Sequence, residues 1–112
     1  MIITKKKPYT KDEIEKLSEE FETYIKTVID IDKKICSAGA NRHFENEAIL
    51  LKNGSKQKSL WGGGIDLETL AIDNNSMINI RSNDNNLSNE IQDPQTRKKV
   101  ENFMKYFFGV LF

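Results

Sequence analysis

Apolar positions along this chain recur with two periods. From Ile14, the residues Ile14, Leu17, Phe21 and Tyr24 keep the spacing of one helical face, with Glu15, Lys16, Glu19, Glu20 and Glu22 mostly on the other. Thr10 followed by Glu13 is a capping box, and Tyr9 with Ile14 is a hydrophobic staple, so a helix starts here. From Ile25 the period drops to two. Ile25, Thr27, Ile29, Ile31 and Ile35 alternate with Lys26, Val28, Asp30, Asp32 and Lys34, which predicts a long half-buried strand ending near Cys36. Before the helix, Met1 to Thr4 is a short β-branched edge or first strand, closed by Lys5, Lys6, Lys7 and Pro8.

Ser37 to Asn41 reads as a turn, and the apolar run Ala48-Ile49-Leu50-Leu51 as a strand over Glu47 to Lys52 that returns antiparallel and stops at Asn53. Ser55 to Ser59 is wholly polar, then Leu60-Trp61 turns apolar. Gly62-Gly63-Gly64 marks a bend, a bulged hairpin or a close approach of other atoms to the backbone. Ile65-Asp66-Leu67 continues extended, Leu70-Ala71-Ile72 supplies core, and Asp73 to Ser76 is a turn. Met77 to Arg81 alternates like a strand with Ile78 and Ile80 inward. Ser82 to Asn86 lacks the acidic spacing of a calcium loop and reads as an Asx-rich surface loop. Asp93 at the N-cap and Pro94 at the first helical position open a second helix, whose face is Val100, Phe103, Met104, Phe107 and Leu111.

These elements predict one α+β domain over residues 1–112, a two-layer sandwich. Its largely antiparallel sheet of four or five strands carries two helices on one face and leaves the other wet for binding. Lys plus Arg and Asp plus Glu both total 17, so there is no global basic field, and nucleic acid is disfavoured unless a local patch exists. Cys36 is the only cysteine, which fits a reducing cytosol and excludes an internal disulfide. No stretch has signal-peptide or membrane-spanning character, and a cytoplasmic location is expected.

Candidate chemistry is sparse. If residues 42–47 are extended, His43, Glu45 and Glu47 share a face, the pattern of a metal-assisted hydrolase with Asp30 as a further candidate; an exposed polar His43 is the preferred reading, with no metal and no cofactor. Asp30 and Asp32 on one strand face read as solvated charges rather than a cation site. Arg97, Lys98 and Lys99 lie where the helix dipole disfavours cations, unless they face an anion or an acidic neighbour. The aromatic tail Tyr106, Phe108, Val110 and Phe112 exceeds what one helical face needs. A homodimer through the C-terminal helix is one outcome, and Gly109 ending the helix so that the tail folds back is the other.

Glu47 to Leu51, Gly54-Ser55-Lys56-Gln57 with Leu60-Trp61-Gly62, Ile78-Asn79-Ile80-Arg81 and Glu90-Ile91-Gln92-Asp93-Pro94 together resemble a family of small uncharacterised prokaryotic proteins, a domain of unknown function. Gly63-Gly64 depart from the polar or aromatic continuation of that pattern, which implies interrupted strand pairing there. The resemblance brings no activity, but implies a shared surface of Ser55, Lys56, Gln57, Trp61, Asn79 and Arg81. With Lys58 added, these are the candidate ligand-binding residues of a small cytosolic binding module for a protein or an anionic small ligand. Trp61 is its anchor, or else a core residue. A single-stranded RNA binder that stacks bases on Trp61 is the third reading.

Overall fold

A computed structural model describes residues 1–112. Five antiparallel strands, β1 (Ile3–Lys5), β2 (Tyr24–Asp30), β3 (Ile35–Ala38), β4 (Leu60–Asp66) and β5 (Ile72–Asp73), form one sheet in the order β1-β3-β2-β4-β5. Three helices, α1 (Lys11–Glu20), α2 (His43–Lys52) and α3 (Pro94–Phe107), complete an α+β fold.

The two flanking helices start where their caps place them. Glu13 N–H donates to Thr10 Oγ1 at 3.2 Å, and Thr10 N–H to Glu13 Oε1 at 2.8 Å. Thr96 N–H donates to Asp93 Oδ2 at 2.9 Å, with Pro94 in the first turn. α1 ends one residue before Phe21, and Tyr24 begins a strand instead of extending the helical face. Ile14, Leu17, Val100, Met104 and Phe107 pack with Tyr9, Phe108 and Ile91 on Ile25, Ile29, Cys36, Ala38, Trp61 and Ile65 from the sheet. That is the main core, and both predicted helices lie on it.

Three predicted elements differ. The long strand 25–36 is a hairpin, because Asp30 Oδ1 accepts from the amides of Asp32 (2.9 Å) and Lys33 (2.8 Å) and turns the chain, with Lys34 left-handed at φ 59°. The expected strand 47–52 is α2. Its buried positions Asn46, Glu47 and Leu50 recur at helical spacing but two of them are polar, so a reading of apolar periodicity misses them. Leu50 packs on Val28 and Leu60, and α2 covers the sheet face that was expected to be wet, turning two layers into three. The expected strand 77–81 is a 3₁₀ turn over Met77–Asn79, capped by Ser76 Oγ, which accepts from Ile78 N–H at 3.3 Å; Ile80 is exposed.

The glycine run does not interrupt pairing. β4 pairs with β2 from Leu60↔Asp30 through Gly62↔Val28, Gly63↔Thr27 and Gly64↔Lys26 to Asp66↔Tyr24. A Cβ on Gly64 would overlap Tyr24 Oη, and one on Gly63 would overlap the Asp73 carbonyl, so the glycines admit close neighbours rather than a bend. At the C-terminus, Gly109–Leu111 forms a 3₁₀ turn that returns Leu111 to the core while Val110 and Phe112 stay exposed.

Candidate functional site

β5 pairs with β4 only at Gly64 and Ile65, so the edge of β4 near Gly62 needs other hydrogen-bond partners. Asn79, fully buried, supplies them. Its Oδ1 accepts from Gly62 N–H at 2.8 Å, and its Nδ2 donates among the carbonyls of Gly62 (3.0 Å), Asn74 (2.9 Å) and Asn89 (2.9 Å). Asn86 repeats the device one layer out. Its Nδ2 serves the carbonyls of Asn79 (2.8 Å), Ser88 (2.9 Å) and Glu90 (2.9 Å), and its Oδ1 accepts from Gln92 N–H at 2.8 Å. Two buried amides therefore take the place of a strand and fix the loop from Asn74 to Gln92 against β4.

That loop aims Arg81. The backbone of Arg81 exchanges hydrogen bonds with Asn86 (2.7 and 3.0 Å), and its guanidinium carbon lies 3.9 Å from the centre of the Trp61 ring. Nη1 donates to the Gln57 carbonyl, and Nε stands 3.3 Å from Asp84 Oδ2 as an ion pair without hydrogen-bond alignment. The Arg81 side chain is only 9% exposed, yet its Nε and Nη2 have no acceptor, and the Trp61 Nε1 donor has none either. Burial pulls the guanidinium below its usual pKa, opposed by Asp84 and then Glu47. Glu47 Oε2 is also buried without a partner; burial raises this carboxyl above the usual range, against the pull of Arg81 and of the Gln57 side chain. Gln57, Lys58, Arg81 and Asp84 line a cleft of about 360 Å³ with Ile80, Ser82 and Asn83.

Of the residues expected to form one surface, the structure brings together Gln57, Lys58, Trp61 and Arg81. Ser55 is buried elsewhere, its Oγ donating to Asp30 Oδ2 at 2.6 Å, and Asn79 is consumed by the backbone it staples. Lys56 is exposed beside the group and does not line the cleft. Trp61 is 7% exposed within the core cluster and stacked under Arg81, so it is a platform, not a free anchor or a base-stacking surface. Asp84 and Asn86, in the Asx-rich loop, also belong to the site, and the dense Asn content of that stretch is their only mark in the sequence.

His43, Glu45 and Glu47 share no extended face, because all three lie on α2, where alternate residues point to different sides. Glu45 Oε1 accepts from Arg42 N–H at 3.1 Å, and His43 Nε2 is 2.7 Å from the Gly63 carbonyl, which places the ring proton on Nε2. Burial lowers the His43 pKa, with Lys26 adding to the effect and Gly63 and Asp73 opposing it. Asp30 is a buried partner of Ser55, not a solvated strand charge, while Asp32, exposed in the turn after β2, accepts from the Ser59 hydroxyl. No group of three His, Cys, Asp or Glu side chains is placed to hold a metal ion. His43 instead lines a groove of about 540 Å³ with Lys26, Arg42, Ser76 and Ile78, rimmed by the exposed Phe44 and Met77.

No helix is long and apolar enough to cross a membrane. No curated protein and no solved structure matches the chain. A family model, however, spans nearly all of the fold, from the first strand to the end of α3, and takes in every residue of the Arg81 cleft. The chain thus belongs to the family described as Protein of unknown function (DUF5674), matched over residues 1–107.

Proposed function

We propose that this protein is a small binding module without catalysis of its own, and that the Arg81 cleft takes an anionic oxygen group, a carboxylate or phosphate borne by a protein or a small ligand. The observation that carries this reading is a guanidinium held almost out of solvent over Trp61, with Nη2 lacking an acceptor, Nε in no more than a misaligned ion pair with Asp84, and the indole N–H unpaired. Buried donors are normally satisfied, and a fixed fork of this kind matches planar oxyanions. Lys58 adds positive charge at the rim. With Cys36 as its only cysteine the chain can form no internal disulfide, which suits action in a reducing cytosol.

Calorimetric titration with succinate and with inorganic phosphate tests the reading: saturable binding is expected for the intact chain, and none for Arg81→Gln that remains folded. Equal heats from both proteins would contradict it.

A second reading, self-association through the C-terminal segment, is favoured by the exposure of Val110 (51%) and Phe112 (61%) beyond α3. Light scattering over a concentration series should then show a dimer that Val110→Asp with Phe112→Asp turns into a folded monomer. A monomer at every concentration excludes it.

A further inference from the structure

In a cleft that shares no lining residue with the Arg81 cleft, we propose a second site, which binds a phosphorylated nucleoside. Lys6 after β1, Lys34 in the β2–β3 turn and Lys99 on α3 converge with Asn102, Phe103 and Tyr106 around a cleft of about 510 Å³. Although the chain as a whole is neutral, no acidic residue lines this cleft. The four ion pairs of the molecule use the N-terminus, Lys5, Arg81 and Lys105, so these three lysines are unpaired; Asp93 is the carboxylate that senses Lys99. Like charges brought together from three separate segments repel one another, and a phosphate relieves that repulsion.

The aromatic wall supplies the rest of the ligand's chemistry. Tyr106 meets Phe107 edge-on at 5.2 Å, and Phe103 lies 6.4 Å from the same ring, so both are braced from behind by a fully buried side chain. Tyr106 is 50% exposed and offers a ring to a base, while Asn102 carries both a donor and an acceptor for its edge. Lysines beside aromatic rings also suit an anionic lipid surface, but here lysines from three segments and both rings line one cleft of about 510 Å³, which favours a ligand of nucleotide size.

Lys34 adds a second argument. Its φ of 59° is a left-handed conformation that glycine adopts without strain and lysine does not. The turn is already determined by Asp30, whose carbonyl accepts from Lys34 N–H at 2.9 Å and whose Oδ1 takes the two preceding amides. Lys34, at this strained position, brings its charge to the cleft.

The test is calorimetry and amide chemical-shift titration of the full chain with 5′-AMP, adenosine, inorganic phosphate, an oligoadenylate hexamer and phosphatidylserine vesicles. AMP should bind saturably, shifting residues around Lys6, Lys34, Lys99 and Tyr106, with adenosine and phosphate each at least roughly tenfold weaker, since each supplies only one of the two contacts. Lys34→Gly, which relieves the backbone while removing the charge, should keep the melting temperature and weaken AMP roughly tenfold; Lys99→Gln should do the same. A hexamer tighter than AMP assigns the site to single-stranded RNA, and one no tighter assigns it to free nucleotide; both uphold the proposal. Phosphate binding as tightly as AMP, vesicles binding where AMP does not, undiminished binding by Lys34→Gly, or no AMP binding would each overturn it.

Discussion

On one face of the sheet a cluster of 14 buried apolar residues joins α1 and α3 to the strands, whereas on the other Val28, Leu50 and Leu60 are the only buried members of the apolar cluster. The second face and the edge of β4 are held instead by Asn46, Asn79, Asn86, Ser37, Ser55 and Asp30, all buried and hydrogen-bonded. Apolar contacts are non-directional and tolerate exchange of shape, while amide hydrogen bonds fix orientation and fail together when one is removed. The loop that carries Arg81 is fixed by these polar bonds, although the ring under its guanidinium, Trp61, belongs to the apolar cluster. A fold that needs one guanidinium at a fixed place over one ring gains more from directional bonds than from packing.

The largest effect should come from the apolar face. Phe107 is fully buried and touches Tyr9, Phe103 and Tyr106 rings, so Phe107→Ala should cost about 3–5 kcal/mol by denaturant unfolding. A cost below about 1 kcal/mol would mean that the core is elsewhere.

Asn79→Ala comes next, at roughly 2–4 kcal/mol, because Gly62 N–H and the carbonyls of Gly62, Asn74 and Asn89 lose their partner in a dry site. The contrast sharpens in conservative swaps. Phe107→Leu should retain much of the stability, whereas Asn79→Leu should not, and hydrogen exchange at Gly62 should accelerate only in the Asn79 variants. Unchanged protection at Gly62 would break the distinction between the two sides.

Gly64→Ala should follow at about 1–3 kcal/mol, since the new methyl must displace the Tyr24 ring, whose hydroxyl donates to Asp73 Oδ2 at 2.8 Å. If thermal melts show no loss, the close approach of Tyr24 to β4 is not needed for stability.

The smallest effect has the most informative sign. Burial raises the Glu47 carboxyl, so the folded chain binds more protons than the unfolded one between the two pKa values. Stability therefore falls as pH rises from the ordinary glutamate value, about 4.3, through the folded value, and stays lowered above it. Glu47→Gln should be the more stable protein at neutral pH, with the advantage shrinking below about pH 4. A variant less stable at neutral pH but equal to the parent at low pH would show that the Arg81 attraction outweighs burial.

The same contrast governs what the sequence reveals. α1 and α3 are legible because Thr10 with Glu13, and Asp93 with Pro94, act within one turn of chain, and their buried faces are apolar. The central alternation in β2 is legible for the same reason, but Ile31 and Ile35 carry the period straight through a turn that only the Asp30 side chain makes. α2 is hidden because Asn46 and Glu47 hold its buried face, bonding to Ser37 and Lys26 through Asn46, while the apolar Leu51 points outward. Gln57, Trp61 and Arg81 lie in the motifs, with Lys58 in the polar run between them, but so do Ser55, Lys56 and Asn79, which do not line the cleft. The division of labour among them is not legible there, because whether an asparagine binds a ligand or a backbone depends on contacts between residues 17 positions apart, such as Asn79 with Gly62.

The central claim, that Arg81 over Trp61 is a built oxyanion site, has a direct probe because Trp61 is the only tryptophan. Its indole N–H gives a single side-chain resonance, which can be followed by proton–nitrogen correlation spectra during titration with succinate and phosphate. Saturable movement of that resonance together with Arg81 Nε–H, lost in folded Arg81→Gln and retained in Lys56→Ala, is the predicted result. An indole resonance that stays fixed up to the highest anion concentration, or moves equally without the guanidinium, contradicts the account.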